Sequence, residues 1–281
     1  MYTFTISFRK SSLVLLLYLV QISCSKKTDI PVPTINTDTI TETQPATIVA
    51  FASSVTPNIG GYYAAMPPHY EQTSKQYPLL FFFHGNGQMG NGQSELPYLL
   101  TDGLGKLLKE KKFPPSFTIG QSKHSFIIIL PQYSQRPSTD EVLAFIEDTR
   151  KKYRVDPARI YLAGLSMGGN IITDAASYAP GLFAAVTSMS GIDFNSTDST
   201  KCEKIAQGSV PLWVFHNVDD PMISGYYSTS FINIINYFNP AIIPKLTIFP
   251  YYGHDSWTMA LDTAYKEENK NVYEWMLTYT R

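Results

Sequence analysis

The stretch RIYLAGLSMGGNI, residues 159 to 171, joins an apolar run to a segment with helical spacing and places a serine between the two. Ser166 lies between Gly164 and Gly168 in a Gly-x-Ser-x-Gly pattern. A serine in a sharp turn from a strand to a helix brings its neighbours close to both elements, and glycine has no side chain to clash there. The chain holds 17 glycines, so the meaning of the pattern depends on what precedes and follows it.

Composition and charge restrict the class of protein. The chain has 281 residues, of which 44% are hydrophobic and 14% aromatic, enough for a sizeable core in one large domain or two small ones. Its 22 basic and 23 acidic residues are well mixed and give a net charge of -1, so no basic surface suited to a phosphate backbone is expected. The sequence therefore predicts a globular protein and argues against nucleic acid as a partner.

The first 23 residues have the features of a signal peptide. Two basic residues precede the apolar run Leu13 to Val20, which is too short to span a bilayer as a mature helix. The following VQISCSKK resembles the lipobox of bacterial lipoproteins, although Gln21 stands where these proteins usually have Leu. The resemblance implies that Cys24 is lipidated and anchors the protein to the outer membrane of the cell envelope. The alternative is a plain secretory signal and a secreted or periplasmic protein.

Residues 24 to 46 are rich in Thr, Pro and Asp and show no helical period, which is typical of an extended tether. We predict that a single catalytic domain occupies residues 47 to 281. The chain has two cysteines, and we interpret Cys202 as a free thiol because no partner base lies near it in sequence. Metal-ligand and nucleotide motifs are not found, so the sequence predicts no metal and no cofactor.

Apolar runs and helical segments alternate along the predicted domain. After early strand candidates at 47–53, 60–70 and 77–85, continuous apolar runs cover 125–132, 159–166, 184–191, 210–217 and 245–253. Continuous runs are typical of strands buried on both faces. Helical spacing occurs at 138–153, after Ser166, at 226–238 and at 269–281. The alternation predicts an α/β fold, with a mostly parallel central sheet and helices on both faces.

Backbone amides from two places are predicted to face the serine. Met167 opens the helix that follows it, where free N–H groups and the helix dipole favour negative charge. The glycine-rich stretch FFFHGNGQMGNG, residues 81 to 92, ends another strand and brings the N–H of Asn86 or Gly87 toward the same point. His84 in this stretch is interpreted as a structural residue that ties the loop down.

An acid and a base are expected downstream of the serine, in that order. The stretch LWVFHNVDDPMI, residues 212 to 223, places Asp219 and Asp220 directly after a buried strand, where a carboxylate can orient an imidazole. We predict Asp220 as the acid and Asp219 as an exposed turn residue, with Asp193 after the preceding strand as a weaker alternative. His254 is the only histidine beyond these aspartates, so chain order selects it as the base.

Together these motifs resemble the α/β-hydrolases, and within them the bacterial branch of feruloyl esterases, acetylxylan esterases and polyhydroxybutyrate depolymerase-like proteins. The resemblance covers residues from about 60 to 281 and rests on GYYAAMPPHY, YPLLFFFHGNG, VDPARIYLAGLSMGG, FHNVDDPMI and GHDSWTMA. Asn217 is a departure, since this branch usually has Gly after the strand-ending His. The resemblance implies Ser166 as nucleophile, His254 as base and Asp220 as acid in the hydrolysis of carboxylic esters, with acylated polysaccharide as one substrate class.

Other functions remain open. A serine peptidase of the prolyl-peptidase type uses the same fold, but it usually carries a large accessory domain for which the chain has no room. A surface module that binds glycan or lipid without turnover is the other alternative, and an intact Ser, Asp and His set argues against it. Four aromatic residues near the predicted strand ends either line a substrate pocket or pack in the core. They are Tyr133, Tyr251, Tyr252 and Trp257, with Trp257 and Tyr133 as the preferred substrate-binding candidates.

Overall fold

The computed structural model describes residues 40 to 281, which fold around an eight-stranded sheet. The strands are β1 (Thr47–Ala52), β2 (Ile59–Met66), β3 (Tyr77–Phe83), β4 (Phe117–Ile119), β5 (Ser122–His124), β6 (Ile127–Tyr133), β7 (Val155–Leu165), β8 (Ala185–Met189), β9 (Leu212–Asp219) and β10 (Lys245–Tyr252). The helices are α1 (Gly103–Lys109), α2 (Thr139–Arg150), α3 (Met167–Tyr178), α4 (Ser199–Gln207), α5 (Gly225–Tyr237), α6 (Trp257–Ala260) and α7 (Val272–Leu277). Short 3-10 helices cover Tyr70–Gln72, Asn86–Gln88, Leu96–Leu100 and Asn195–Thr197.

The large sheet has the strand order β1-β2-β6-β3-β7-β8-β9-β10. β1 pairs with β2, and β2 with β6, in antiparallel fashion. The other neighbouring strands in this order, β6-β3-β7-β8-β9-β10, all pair in parallel. The remaining strands, β4 and β5, form a separate antiparallel hairpin. The predicted mostly parallel sheet is therefore confirmed. Because parallel strands end at the same edge, the loops after β3, β7, β8, β9 and β10 meet there.

Helices cover both faces of the sheet. All seven residues of β3 are buried, and they divide by alternation. Leu79, Phe81 and Phe83 pack in the hydrophobic cluster formed with α2, α3, α4 and α5, while Leu80 and Phe82 pack in the one formed with α1, α6 and α7. This two-sided burial explains why the sequence of β3 is apolar throughout instead of alternating with polar residues.

Helix α2 follows the predicted start and face. Ser138 accepts a hydrogen bond from the backbone N–H of Glu141, and the Glu141 carboxylate accepts one from the Ser138 N–H, which forms a capping box. Such a cap contributes about 1 kcal/mol to helix stability. The buried side chains are those with the predicted helical spacing: Val142, Phe145, Ile146 and Thr149.

Residues 40 to 46, which the sequence analysis assigns to the tether, pack against the domain. The Glu42 carboxylate is buried, accepts from the backbone N–H of His69 and lies 2.7 Å from its ring Nδ1. Lys75 Nζ also donates to the carbonyl of Ile40 at 2.9 Å. The Thr- and Pro-rich composition of the segment gave no sign of this buried carboxylate. The predicted signal peptide, Cys24 and the tether up to residue 39 lie outside the described residues.

Between residues 40 and 281, no helix combines the length and the apolar character needed to cross a membrane.

Candidate active site

Ser166 occupies the turn between β7 and α3, as the sequence predicts. Its backbone has φ 51° and ψ -123°, a conformation that residues with a Cβ atom rarely adopt. The turn is held on both sides, because the Ser166 N–H donates to the carbonyl of Met189 at 2.8 Å and its carbonyl accepts from Asn170 N–H at 3.2 Å. The strained backbone therefore presents the serine side chain at the carboxyl edge of the sheet.

The two glycines of the pattern allow β7 and α3 to approach each other. A Cβ atom on Gly164 would lie 2.6 Å from the backbone of Gly168. A Cβ atom on Gly168 would lie 2.1 Å from the carbonyl oxygen of Phe83 in β3. Since real Cβ atoms do not come so close to backbone atoms, a side chain at either position would force the turn open. The sequence interpretation of both glycines agrees with this geometry.

Three of the predicted site residues lie in one hydrogen-bonded chain. His254 Nε2 is 2.8 Å from Ser166 Oγ, and His254 Nδ1 is 2.7 Å from Asp220 Oδ2. The Asp220 side chain is fully buried, whereas 13% of the His254 side chain is exposed. With Nδ1–H donating to the carboxylate, Nε2 is free to accept the proton of the serine hydroxyl. The arrangement can therefore raise the nucleophilicity of Ser166.

The structure places Asp220, and not Asp219, against His254. Asp219 is exposed, while Asp220 Oδ1 accepts from the backbone N–H groups of Met222 and Ile223 at 2.8 and 3.1 Å. Burial alone would raise the pKa of Asp220, but the hydrogen bonds from His254 and from these backbone groups outweigh it and hold the pKa below its usual value. Asp220 is therefore a carboxylate that can balance a positive charge on the imidazole.

Asp193, the weaker alternative for the acid, is engaged elsewhere. Its Oδ1 accepts from Asn170 Nδ2 and from the backbone N–H of Ser196, both at 2.9 Å. These contacts tie the loop after β8 to the first turn of α3. Asp193 thus supports the helix that follows the serine.

The loop after β3 passes directly beside the serine. A Cβ atom on Gly85 would lie 2.7 Å from Leu165 Cδ1 and 3.3 Å from Ser166 Cβ. The next residues, Asn86 and Gly87, are exposed and begin a 3-10 helix, and no atom lies within 4 Å of a Cβ built on Gly87. Met167 is the first residue of α3, a position whose N–H has no partner within the helix. The loop that carries Asn86 and Gly87 thus runs beside Ser166 at Gly85, and the oxyanion role stays a prediction for Met167 and for Asn86 or Gly87.

His84 holds this loop in place. The ring is buried, lies 2.6 Å from the carbonyl of Gly85 through Nδ1, and accepts from the Tyr133 N–H through Nε2 at 3.3 Å. It also stacks on the Tyr133 ring at 3.7 Å between centroids. Burial lowers the pKa of His84 from 6.5 to about 4, so the imidazole is neutral near neutral pH. These contacts agree with the interpretation of His84 as a structural residue.

Acidification is expected to destabilise the fold through His84. Between pH 6.5 and about 4 the unfolded chain binds a proton at this residue and the folded protein does not, so the free energy of unfolding falls as the pH is lowered. The full effect is about 3 kcal/mol. Urea unfolding at pH 7.0 and 4.5 measures most of this effect, and the His84→Asn variant should show a smaller pH dependence than the wild type. An equal pH dependence in both proteins would contradict the role assigned to His84.

The prediction that Tyr133 binds substrate is wrong. The side chain has no exposed surface, and its hydroxyl donates to the backbone carbonyl of His84. Tyr133 ends β6 next to β3, and its ring stacks on His84 in the loop after β3. Its position near a strand end was visible in the sequence, but the direction of its side chain was not.

Trp257 packs against His254. Its ring lies edge-on to the His254 imidazole, with centroids 5.5 Å apart at 86°, and its Nε1 donates to Asp102 Oδ1 at 2.9 Å. The side chain is largely buried and borders a cavity of about 140 Å³ beside α1. A contact with substrate stays a prediction for Trp257. Tyr251 and Tyr252 lie on the last two positions of β10 and are exposed.

Two residues that contact Asp220 or the loop of His254 were not identified from the sequence as site residues. His216 Nε2 lies 3.1 Å from Asp220 Oδ2, and Asn217 Nδ2 donates to the carbonyl of Gly253 at 2.8 Å. Both are fully or almost fully buried. The available signal was a pair of polar residues closing an apolar strand, because buried polar groups need partners.

Cys202 lies in α4 and is a buried free thiol. Burial raises the pKa of Cys202 to about 12, so the thiol stays protonated and is a poor nucleophile. Within residues 40 to 281, no cluster of three or more His, Cys, Asp or Glu side chains is arranged to hold a metal ion.

The sheet topology and the turn at Ser166 define an α/β-hydrolase fold, and solved structures share it. A thermostable esterase is similar with a TM-score of 0.58 and 23% identity over 84% of this chain and 63% of its own length. A ferulic acid esterase matches with a TM-score of 0.54 and 19% identity, covering 78% of this chain and 96% of that one. Est1E from Butyrivibrio proteoclasticus matches with a TM-score of 0.53 and 16% identity, covering 82% and 98%.

A family model identifies the chain more narrowly than the fold does. The Esterase model matches residues 129–272, just over half of the chain. The protein therefore belongs to the Esterase family of carboxylic ester hydrolases. A search of curated proteins finds no significant match.

Proposed function

We propose that this protein hydrolyses carboxylic esters through an acyl-enzyme, with Ser166 as nucleophile, His254 as general base and Asp220 as the acid that orients it. One observation carries the proposal: the continuous hydrogen-bonded chain from Ser166 Oγ through His254 to Asp220 Oδ2, at 2.8 and 2.7 Å. Distances in this range are those required for proton transfer between a nucleophile and its base.

In the first half-reaction, Ser166 Oγ forms a bond to the ester carbonyl carbon while its proton moves to His254 Nε2. The tetrahedral intermediate carries negative charge on the former carbonyl oxygen, and the amides of Met167 and of Asn86 or Gly87 are proposed to bind it. Loss of one such donor typically costs about 3 kcal/mol of transition-state stabilisation. The carbon–oxygen bond to the alcohol then breaks, and the alcohol leaves with the proton held by His254.

In the second half-reaction, water takes the place of the alcohol. His254 Nε2 accepts a proton from the water as its oxygen attacks the acyl carbon, and it returns that proton to Ser166 Oγ as the acid departs. Asp220 stays ionised throughout and stabilises the imidazolium formed in each half. Its lowered pKa suits this role, since the carboxylate keeps its charge at mildly acidic pH.

Turnover of a graded ester panel tests the proposed activity. The panel contains p-nitrophenyl esters of increasing acyl length, a feruloylated sugar, acetylated xylan and, as the alternative substrate, a proline p-nitroanilide. Hydrolysis of one or more esters with no cleavage of the anilide is the expected result. Cleavage of the anilide alone would favour a peptidase, and no turnover of any substrate would favour a binding module.

For the natural substrate we propose an acylated polysaccharide. The support is the sequence resemblance to feruloyl and acetylxylan esterases, together with a shared fold with a ferulic acid esterase. Higher kcat/KM on the feruloylated sugar or acetylated xylan than on the simple p-nitrophenyl esters is expected. The reverse preference would point to a small ester as substrate.

We also propose that the mature protein is a lipoprotein anchored through Cys24 to the outer membrane. The lipobox-like VQISC and the polar segment after it support this location. Each buried CH2 group of an acyl chain contributes about 0.8 kcal/mol, so several chains make release from the membrane negligible. The segment after Cys24 would then act as a spacer that keeps the domain clear of the headgroups.

Cys24→Ser is expected to remove the anchor without affecting catalysis. Wild-type protein should fractionate with membranes and require detergent, whereas the variant should be soluble or retain its signal peptide. Fractionation, mass spectrometry of the N-terminus and ester turnover measure the outcome. Freely soluble wild-type protein whose mature N-terminus lies beyond Cys24 would reject the anchor and favour a simple secretory signal.

A further inference from the structure

The position of His254 depends on a short loop. β10 ends at Tyr252 and α6 begins at Trp257, so neither a strand ladder nor a helix fixes the backbone of the base. Gly253 has φ +115°, a conformation open to glycine, and its N–H donates to the carbonyl of Asp219 at 3.1 Å. Other contacts must hold the loop that carries the imidazole.

Asn217 supplies such contacts on both sides of His254. Its Nδ2 donates to the carbonyl of Gly253 at 2.8 Å and to the carbonyl of Asp255 at 3.1 Å. These are the two residues that flank the base in sequence. Asn217 is 2% exposed and lies next to Phe249 in the register of β9 and β10, so the sheet holds the backbone from which its side chain extends. One side chain thus holds the carbonyl groups of the residues on both sides of His254.

The orientation of the Asn217 amide follows from chemistry. Both neighbours are carbonyl oxygens, which only accept hydrogen bonds, so the NH2 group and not the oxygen must face them. In the described part of the chain, Asn217 Oδ1 is then buried without a partner. The asparagine leaves one acceptor unsatisfied and uses both of its donors on the loop of the base.

The preceding residue supports the acid in a similar way. Successive side chains of a strand point in opposite directions, so His216 and Asn217 reach different loops from adjacent positions of β9. His216 Nδ1 lies 2.7 Å from Ser228 Oγ, from which it accepts, and Nε2–H faces both Asp220 Oδ2 and the carbonyl of Ile223. The end of β9 therefore contacts the acid with one residue and the loop of the base with the next.

We infer that Asn217 is a positioning residue that holds the His254 imidazole within proton-transfer distance of Ser166 Oγ. The inference rests on the proposed function, because it assigns His254 the role of base. Misplacement of a catalytic group by about 1 Å can lower a rate about 100-fold. Loss of both donors should therefore reduce the chemical step while leaving substrate binding nearly intact.

Asn217→Asp and Asn217→Ala test this role. The aspartate variant keeps the size of the side chain but replaces the donors with an oxygen that faces two carbonyls, and the alanine variant removes the group altogether. Both are expected to lower kcat for the best p-nitrophenyl ester about 10- to 100-fold, with KM changed less than about threefold. Labelling of Ser166 by a fluorophosphonate should slow by a similar factor, measured per folded protein.

Asn271→Ala is the matched control. Asn271 is also buried, and its side chain caps α7 by accepting from the N–H groups of Tyr273 and Glu274. Its loss should lower the Tm and leave kcat and the labelling rate unchanged. If the Asn217 variants lower the Tm in the same way and keep wild-type kcat, Asn217 has only a structural role and the inference is overturned.

A third variant guards against a failure to fold. Asn217→Ser retains one hydroxyl donor in a smaller side chain, so it should fold and give a kcat between those of the wild type and Asn217→Ala. A serine variant with wild-type kcat and labelling rate would overturn the inference even if the other two variants do not fold. Failure of the proposed function is distinguishable, because it would show as absent ester turnover by the wild type or as turnover that persists in Ser166→Ala.

Discussion

Ser166→Ala is expected to lower kcat for ester hydrolysis about a million-fold, to the residual rate supplied by binding and the oxyanion donors alone. The substitution removes the oxygen that forms the acyl-enzyme. Water would then have to attack the ester directly, and it is not positioned against the carbonyl carbon as the serine hydroxyl is. Stopped or continuous assays with the best ester of the panel measure the rate. A variant that keeps more than about a tenth of the wild-type activity would reject Ser166 as nucleophile.

The fold of this variant should be intact for a specific reason. Alanine also carries a Cβ atom, so the positive φ of 51° costs about the same in both proteins. The backbone hydrogen bonds of Ser166 to Met189 and Asn170 do not involve the side chain. Circular dichroism and Tm close to wild type, together with complete loss of fluorophosphonate labelling, distinguish a missing nucleophile from a misfolded protein.

The grouping of the site residues was predictable because topology determines it. Once the apolar runs are taken as parallel strands, the residues after β7, β9 and β10 must lie at one edge of the sheet. Ser166, Asp220 and His254 follow those three strands in chain order, and the structure brings them within hydrogen-bonding distance. Asp219 and Asp220 are adjacent in sequence, and only Asp220 is buried and hydrogen-bonded to His254, which favours it as the predicted acid.

Two other elements of secondary structure are harder to predict from the sequence. The β4-β5 hairpin has only three residues in each strand, too few to show alternation. Helix α4 buries Lys201, whose Nζ pairs with Asp174 at 2.7 Å, and a lysine at a core position conceals the apolar face of the helix. The partner of Lys201 lies 27 residues away in sequence, so the sequence of the helix does not show it.

The contacts around the site also depended on tertiary partners. The sequence places Tyr133 at a strand end but does not show the direction of its side chain. The structure shows that β6 lies beside β3 and that the Tyr133 ring stacks on His84. In the sequence, Asn217 stands where the resembling esterases usually have glycine, which does not indicate a role. The path of the loop after β10 shows which carbonyls its two N–H donors bind. A sequence identifies groups that can react more readily than the groups that hold them in place.

Asp220→Asn is expected to lower kcat about 10,000-fold by changing the tautomer of His254. On one side of the Asp220 carboxylate, Oδ1 accepts from the backbone N–H groups of Met222 and Ile223, so the amide oxygen of the variant must take this position. The NH2 group then faces His254 Nδ1, which has to accept a hydrogen bond instead of donating one. The ring proton moves to Nε2, and Nε2 can no longer accept the proton of the serine.

Asp219→Asn is the matched control, because it makes the same chemical change at the adjacent, exposed residue. Its kcat should stay within about twofold of the wild type, since substitutions at exposed surface positions without buried partners have small effects. If Asp219→Asn instead lost activity while Asp220→Asn kept it, the acid would be the other carboxylate. Loss in Asp220→Asn alone, with the fold retained, would link the buried carboxylate to the proton transfer at Ser166, because the substitution turns the acceptor that faces His254 and His216 into a donor.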